Sequence, residues 1–410
     1  EGMRPERAID ILGDSISTEL AHGPIYPLIL RMVGQVSASE FALRLPSVLF
    51  GAALIGVTVS IIRQMLGALP ALTAGIIALI NPLIAYYAQD ASPYALAALS
   101  AAASLWFLFQ IRQHGGRWLD WSGLIICQWI GFFSHYGYAF VSFATFIGCC
   151  FAWKKQDPQR LSKTIGAFCI AAVPLVWLTP NLLDVLQISG VRFSLMSPIY
   201  PEDPGLWTYV GQFLTVLSGC LSGWEWTLLL VIPVWLMGIR VLWHRMRFLS
   251  WICIVQMLVF ILFVVFNHAM YTSHGGDRVF FAFRYATPLV LCMILPLAAS
   301  TTSKVKWLAW GLVVIFAYST APLWTSPSRA AQSQAAAMLL HEMKTGDTFA
   351  VAPASFYGGP FQFHLMNKNP DDFITRDRAA MHFIDEKRLW GPLMETHTPL
   401  PTQAAHLGHE

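Results

Sequence analysis

The sequence predicts an all-α polytopic membrane protein with a small C-terminal extramembrane α/β appendage, and three observations carry that prediction. Hydrophobic residues make up 56% of the chain and charged residues only 12%, with a mean hydropathy of +0.54. A soluble globular chain of 410 residues needs more polar surface than that. Apolar runs of bilayer length, essentially free of charge, recur along the sequence. The basic residues fall between those runs in a pattern that alternates from one gap to the next. The net charge of +3 therefore reports topology rather than a nucleic-acid face, and the lipid bilayer is the expected surrounding.

Taken in order, the chain opens with an acidic-basic stretch, Glu1 to Glu19, with no initiator Met, signal peptide or apolar run ahead of it. A further N-terminal piece is expected upstream. Within the first outer loop, residues 1–40, the mostly apolar stretch Ile25–Val33 is too short to cross and is interrupted by Arg31. It reads as an interfacial helix lying on the outer leaflet. The transmembrane domain, residues 41–325, is expected to hold spans near Leu45–Ile62, Leu66–Ala85, Pro93–Ile111, Trp121–Trp153, Thr164–Leu183, Trp226–Trp243, Phe248–Asn267, Tyr285–Ser300 and Trp307–Trp324. Most suit one helix across a hydrocarbon core of about 30 Å.

The exception is Trp121–Trp153, which as one straight helix would extend about 50 Å. The polar Ser134-His135-Tyr136-Gly137 in its middle predicts two shorter spans joined by a turn at the surface. The positive-inside rule tests that split independently. With it, Arg63, Arg112, Arg117, Lys154, Lys155, Arg160, Lys163, Arg240, Arg245, Arg247, Lys304 and Lys306 all share one face, which is then cytoplasmic. About ten spans result. The opposite face receives the first loop, the Asp90 turn, the His135 turn, Asp184–Glu225, His268–Arg284 and the tail. The expected location is an integral, multi-pass plasma (inner) membrane protein with its chemistry on the extracytoplasmic side.

The segment 326–410 changes composition and reads as extracytoplasmic. Ala330–Met343 is rich in helix formers, Lys344-Thr345-Gly346-Asp347 reads as a breaker, and Thr348–Ala352 as a short buried strand. Of the seven cysteines all but Cys220 fall inside apolar runs, where a buried small hydrophobe is the usual role, and no disulfide is assigned. The sequence shows no internal repeat, metal-binding Cys/His spacing, phosphate-cradling glycine loop or GxSxG elbow.

Among the outward residues, Asp90 stands out. No charge appears from Gln64 to Gln89 or from Ala91 to Ile111, so this carboxylate sits where one bilayer-length helix ends and the next begins. It suits an acid, base or electrostatic stabiliser, or an interfacial acid merely solvated at a helix end. His22 precedes the interfacial helix and suits either a phosphate donor contact or an ordinary surface histidine at a helix start. His135 and Tyr136 occupy a tight outer turn, where a solvated structural histidine is the common outcome. Arg284 opens a late span and could simply snorkel, yet it lies outside against the charge bias, as an anion contact would. The loop holding His274, Asp277 and Arg278 reads as solvated.

These residues carry a resemblance. His22-Gly23-Pro24-Ile25-Tyr26, Ser39-Glu40-Phe41-Ala42-Leu43-Arg44-Leu45-Pro46-Ser47, Tyr87-Ala88-Gln89-Asp90-Ala91-Ser92-Pro93-Tyr94-Ala95-Leu96 and Ser134-His135-Tyr136, in that order, resemble the GT-C membrane glycosyltransferases. The nearest branch is the one related to protein O-mannosyltransferases and the lipid A aminoarabinose transferase. The resemblance implies a sugar moved from a polyprenyl-phosphate donor to a glycan, lipid or protein acceptor on the outer face. It also implies an Asp-Glu pair in the first outer loop, with the Asp as base. Glu1-Gly2-Met3-Arg4 looks like the residues just after that Asp, so Glu1 is a candidate catalytic acid while the base and the first span are expected ahead of it.

The resemblance further implies donor-phosphate contacts at His22, Arg4 and Arg284, and a substrate cavity lined by Gln89, Tyr94, His135 and Tyr136. The family often reads Gln-Glu-Ala-Arg-Pro-Tyr where this chain has Gln89-Asp90-Ala91-Ser92-Pro93-Tyr94, so the acid is kept at Asp90 and the basic contact at Ser92 is lost. The chemistry suits the residue types. Inverting transfer needs a base for the acceptor and cations for the departing phosphate. No cofactor is required by the sequence, and a divalent metal is left open. The alternatives are a transporter or flippase of a lipid-linked or amphipathic solute, which calls for charges or broken helices near mid-bilayer and related halves, and a non-catalytic scaffold.

Overall fold

The fold is seen in a computed structural model that describes residues 23–37, 39–154, 157–176, 205–221, 224–273, 283–304 and 306–325. The chain divides into two compact units, Glu1–Trp324 and Thr325–Glu410. The expected tail helix and strand of the second unit lie outside the described residues, as do Lys155 and most of Asp184–Glu225. Among the described residues every regular element of three residues or more is helical. They are α1 (Ile25–Val36), α2 (Glu40–Leu66), α3 (Ala68–Ile80), α4 (Pro82–Ala88), α5 (Tyr94–His114), α6 (Trp118–Ser134), α7 (Tyr138–Trp153) and α8 (Pro158–Ala171). After a gap follow α9 (Leu206–Ser218), a short 3-10 turn (Glu225–Thr227), α10 (Leu228–Arg245) and α11 (Arg247–Ser273). A 3-10 helix (Phe283–Leu289), α12 (Leu291–Ser300) and α13 (Lys306–Thr325) complete the set.

The termini follow from local chemistry. The Ser39 hydroxyl accepts from the Ala42 N–H at 3.2 Å and starts α2. At the start of α6, Asp120 accepts from the backbone N–H of Arg117 at 3.1 Å and from its guanidinium at 3.3 Å, while Asp157 caps α8 through the Arg160 N–H at 2.9 Å with Pro158 in the first turn. The split expected inside Trp121–Trp153 is present: α6 ends at Ser134, α7 begins at Tyr138, and His135 to Gly137 make the turn.

Among the described residues four helices are long and apolar enough to cross a membrane: 41–66, 94–114, 225–245 and 247–266. A fifth is the pair α3 and α4, bent by 60°. Shorter apolar helices, α7 and α13 among them, accompany these. The chain is thus an all-α integral membrane protein, with large apolar side chains such as Leu229, Leu262 and Phe266 standing exposed where lipid would cover them.

Residues 66–85, expected as one span, are instead broken. Asn81 precedes Pro82 and is held extended (φ −62°, ψ 125°), because the proline ring disfavours helical geometry before it. Its side chain then caps the new helix, accepting from Leu83 N–H at 3.0 Å and Ile84 N–H at 3.4 Å. Its side-chain NH2 donates to the Leu217 carbonyl at the end of α9, 3.3 Å away. A fully buried break is tolerated in this way because its polar groups are satisfied internally.

Helices α7 and α11 run antiparallel, as their ring contacts show. Phe151 packs on Trp251 and Trp153 faces Phe248 at one end, while Phe140 meets Phe263 at the other. Lys154 and Arg247 therefore share one face, and the His135 turn shares the opposite face with the C-terminal half of α11. Close packing uses small residues: at Gly238 of α10 a Cβ would lie 1.8 Å from the Pro296 carbonyl oxygen of α12, so only glycine permits that crossing. In the middle of the α7–α11 contact, Gln256 donates to the Thr145 hydroxyl at 3.0 Å.

Candidate active site

The face opposite Lys154 and Arg247 gathers α1, the start of α2, the α4–α5 turn and the α6–α7 turn. The α4–α5 turn carries Asp90. After Ala88 the chain reverses through Gln89 to Pro93, with Gln89 N–H donating to the Tyr86 carbonyl at 3.2 Å and Ser92 N–H to the Asp90 carbonyl at 2.8 Å. Pro93, unable to donate, adopts helical φ and ψ and launches α5 at Tyr94. Asp90 and Gln89 are half-buried at this reversal, and the Asp90 carboxylate has no ion-pair partner among the described residues. A carboxylate in that setting is open to a substrate or a cation; it is equally open to water.

Two residues that sequence reasoning left without a role, Tyr26 and Ser47, bind this turn. Tyr26 is the inward residue of α1 and is 2% exposed, and its phenol is hydrogen-bonded to the fully buried Ser47 hydroxyl of α2. Ser47 in turn donates to the Ser92 carbonyl at 3.2 Å. Because the single Ser47 proton is used there, Tyr26 is the donor to Ser47. Burial pushes the Tyr26 phenol up to about 12, the negative Asp90 nearby adds to this, and the hydrogen bonds that Ser47 and the Ser92 backbone would donate to the ionised form pull the other way. The phenol accordingly stays a protonated donor at physiological pH.

The α6–α7 turn supplies His135 and Tyr136. His135 is buried, 3% exposed, which corrects the expectation of a solvated loop histidine. Its Nδ1 accepts from the Gly137 N–H at 2.9 Å, so in the neutral ring the proton sits on Nε2. The ring lies 5.1 Å from that of Tyr94, which meets Tyr87 at 4.8 Å, and Tyr87 meets Tyr86 at 5.0 Å. An aromatic wall thus runs from the end of α4 to the His135 turn. Tyr136 is half-buried against the bundle core. The Gly23 N–H donates to the Ser134 carbonyl at 3.1 Å and ties the start of α1 to the same turn.

The expected site residues therefore fall into three groups. Asp90, Gln89, Tyr94, His135 and Tyr136 stand on two neighbouring turns of one face, joined through the Tyr94–His135 contact. For Arg284 the backbone is described: it sits second in the 3-10 helix Phe283–Leu289, which packs on both α4 and α5. Glu1, Arg4 and His22 lie outside the described residues, although Gly23, next to His22, is seated on the α6–α7 turn. Among the described residues no group of three or more His, Cys, Asp or Glu side chains could hold a metal. Tyr26 and Ser47 did carry a signal: each ends one of the segments on which the resemblance rests.

Residues 21–183 match the family model of the dolichyl-phosphate-mannose-protein mannosyltransferases. The resemblance to GT-C glycosyltransferases stands. The match runs from the start of α1 past α8 and so takes in both turns of the site, the Tyr26–Ser47 pair and the aromatic wall. It indicates a membrane glycosyltransferase. Arg284 and its 3-10 helix lie beyond the matched stretch of this glycosyltransferase-like chain. No curated protein and no solved structure matches the chain.

Proposed function

We propose that this protein transfers a sugar from a polyprenyl-phosphate-linked donor to a glycan, lipid or protein acceptor on the extracytoplasmic face of the plasma (inner) membrane. The observation that carries the reading is the contact of Tyr94, which follows the Asp90 turn, with His135 of the neighbouring turn, inside the stretch that matches the mannosyltransferase family. In this reading Asp90 is the acid-base or electrostatic group at the acceptor or a cation. Arg4, His22 and Arg284 hold the departing phosphate, whose charge grows as the glycosidic bond breaks. Glu1 completes the acid set. Gln89, Tyr94, His135 and Tyr136 line the cavity. About ten spans carry the site, with a divalent metal as an optional counter-ion.

One observation favours the transporter reading: the buried break at Asn81 is the kind of discontinuity that transporters use to build a mid-membrane site. Yet the Asn81 side chain is committed to Leu83, Ile84 and Leu217 rather than to an open cavity. The deciding experiment supplies the purified full chain with a polyprenyl-phosphate sugar, once in detergent with acceptor and once in sealed vesicles. The glycosyltransferase reading expects transfer in detergent; movement of the donor across vesicles with no transfer in either setting overturns it.

The sidedness has its own check. Ala91 is exposed in the Asp90 turn and Lys154 is exposed at the end of α7. In a background without native cysteines, Ala91→Cys in intact cells should react with an impermeant thiol reagent and Lys154→Cys should not. Equal labelling of the two would contradict the alternation of α5, α6 and α7.

A further inference from the structure

We propose that Tyr26 and Ser47 form a positioning relay that ties the seating of α1 to the conformation of the Asp90 turn. The relay runs from the Tyr26 O–H to the Ser47 hydroxyl, from the Ser47 O–H to the Ser92 carbonyl at 3.2 Å, and from the Ser92 N–H to the Asp90 carbonyl at 2.8 Å. It joins α1, α2 and the α4–α5 turn, elements far apart in sequence, through hydroxyls that are all but sealed from solvent. The catalytic consequence rests on the proposed role of Asp90, whereas the coupling itself does not.

The way α1 is attached explains why such a relay would matter. Its first turn is fixed, by the Gly23 N–H on the Ser134 carbonyl and by Tyr26 inserted to 2% exposure. Along its second half the outward side chains are exposed, Met32 61% and Val36 88%, while Arg31 and Val33 stay half-buried. Tyr26 is the buried side chain of α1, and so the point through which the seating of α1 reaches the Asp90 turn. Tilting α1 draws on the Tyr26 phenol, and through Ser47 on the Ser92–Pro93 peptide. Buried hydroxyl chains of this kind hold geometry because breaking one link strands its neighbour in a low-dielectric setting. The protonated phenol keeps the direction of donation fixed at physiological pH. Tyr26 and Ser47 are therefore positioning residues, acting through Asp90 rather than on the substrate.

The test uses Tyr26→Phe and Ser47→Ala, which remove the hydroxyls and keep the packing, read in two ways on the purified full chain. The first is kcat and KM for a polyprenyl-phosphate sugar. Each variant should lose about tenfold in kcat, as expected for one buried hydrogen bond, with donor KM unchanged and the double variant no worse than the poorer single. In an Asp90→Asn background neither variant should lower transfer further. The second is the mobility of a spin label at Ala91→Cys, which should rise in both variants although neither touches that residue. Unchanged label mobility in a folded Tyr26→Phe sample overturns the relay, and so does a kcat loss that persists in the Asp90→Asn background. Increased mobility with normal transfer by Asp90→Asn would leave the relay standing and remove Asp90 from catalysis, so the two ideas fail separately.

Discussion

Asp90→Asn is expected to lower sugar transfer by roughly two orders of magnitude or more, the usual consequence of losing one acid-base or electrostatic group, with little change in folding. The reasoning is local. Asparagine keeps the size of the side chain, and no described ion pair depends on the carboxylate. The turn itself is built from backbone contacts, Gln89 N–H to Tyr86 and Ser92 N–H to the Asp90 carbonyl, which the substitution leaves alone. What it removes is a negative charge at the meeting point of α1, α2, α4 and α5. His22→Ala and Arg284→Ala should behave differently, raising the donor KM, with a fall in kcat as well if the contact tightens as the phosphate departs. Steady-state kinetics on detergent-purified protein separates the cases. Near-normal transfer by a well-folded Asp90→Asn protein would leave Asp90 as a solvated acid at a helix end.

What could be read from the sequence, and what could not, divides along physical lines. Charge is expensive in a membrane, so Asp90 between two uncharged runs is visible in the sequence, and the basic clusters disclose the break at His135. The break at Asn81 was not read, because an asparagine before a proline inside an apolar run leaves mean hydropathy nearly unchanged. Two of its hydrogen-bond partners, Leu83 and Ile84, are local, whereas the third, Leu217, meets it only once the bundle has formed. The burial of His135 was misjudged for the same kind of reason: the turn is polar in sequence, but Tyr94 covers it from α5. Tyr26 and Ser47 are neutral hydroxyls, common in any helix, and only tertiary contact shows them on one relay. Asp90 was found by its charge; the residues that hold it were found by their neighbours.

Gly23→Ala is expected to be the most damaging single methyl group in the first part of the chain. A Cβ at Gly23 would lie 2.0 Å from the Phe133 carbonyl oxygen and 2.8 Å from the Phe133 Cα, and both are backbone atoms that cannot turn aside. Either α1 or the α6–α7 turn must shift, and overpacking of that kind typically costs about 1–3 kcal/mol. The shift would fall on the Gly23–Ser134 hydrogen bond and on Tyr26 three residues later, so the aromatic wall and the Asp90 turn should be disturbed together. A matched control lies in α1, which follows Gly23. Gly34 has nothing within 4 Å of its Cβ position, so Gly34→Ala should instead favour α1 by up to about 1 kcal/mol through helix propensity. Thermal unfolding in detergent, followed alongside transfer, should show Gly23→Ala lowered in both and Gly34→Ala lowered in neither. If the two alanines behave alike, the first turn of α1 is not seated on the α6–α7 turn, and the corner that holds Asp90 must be assembled differently.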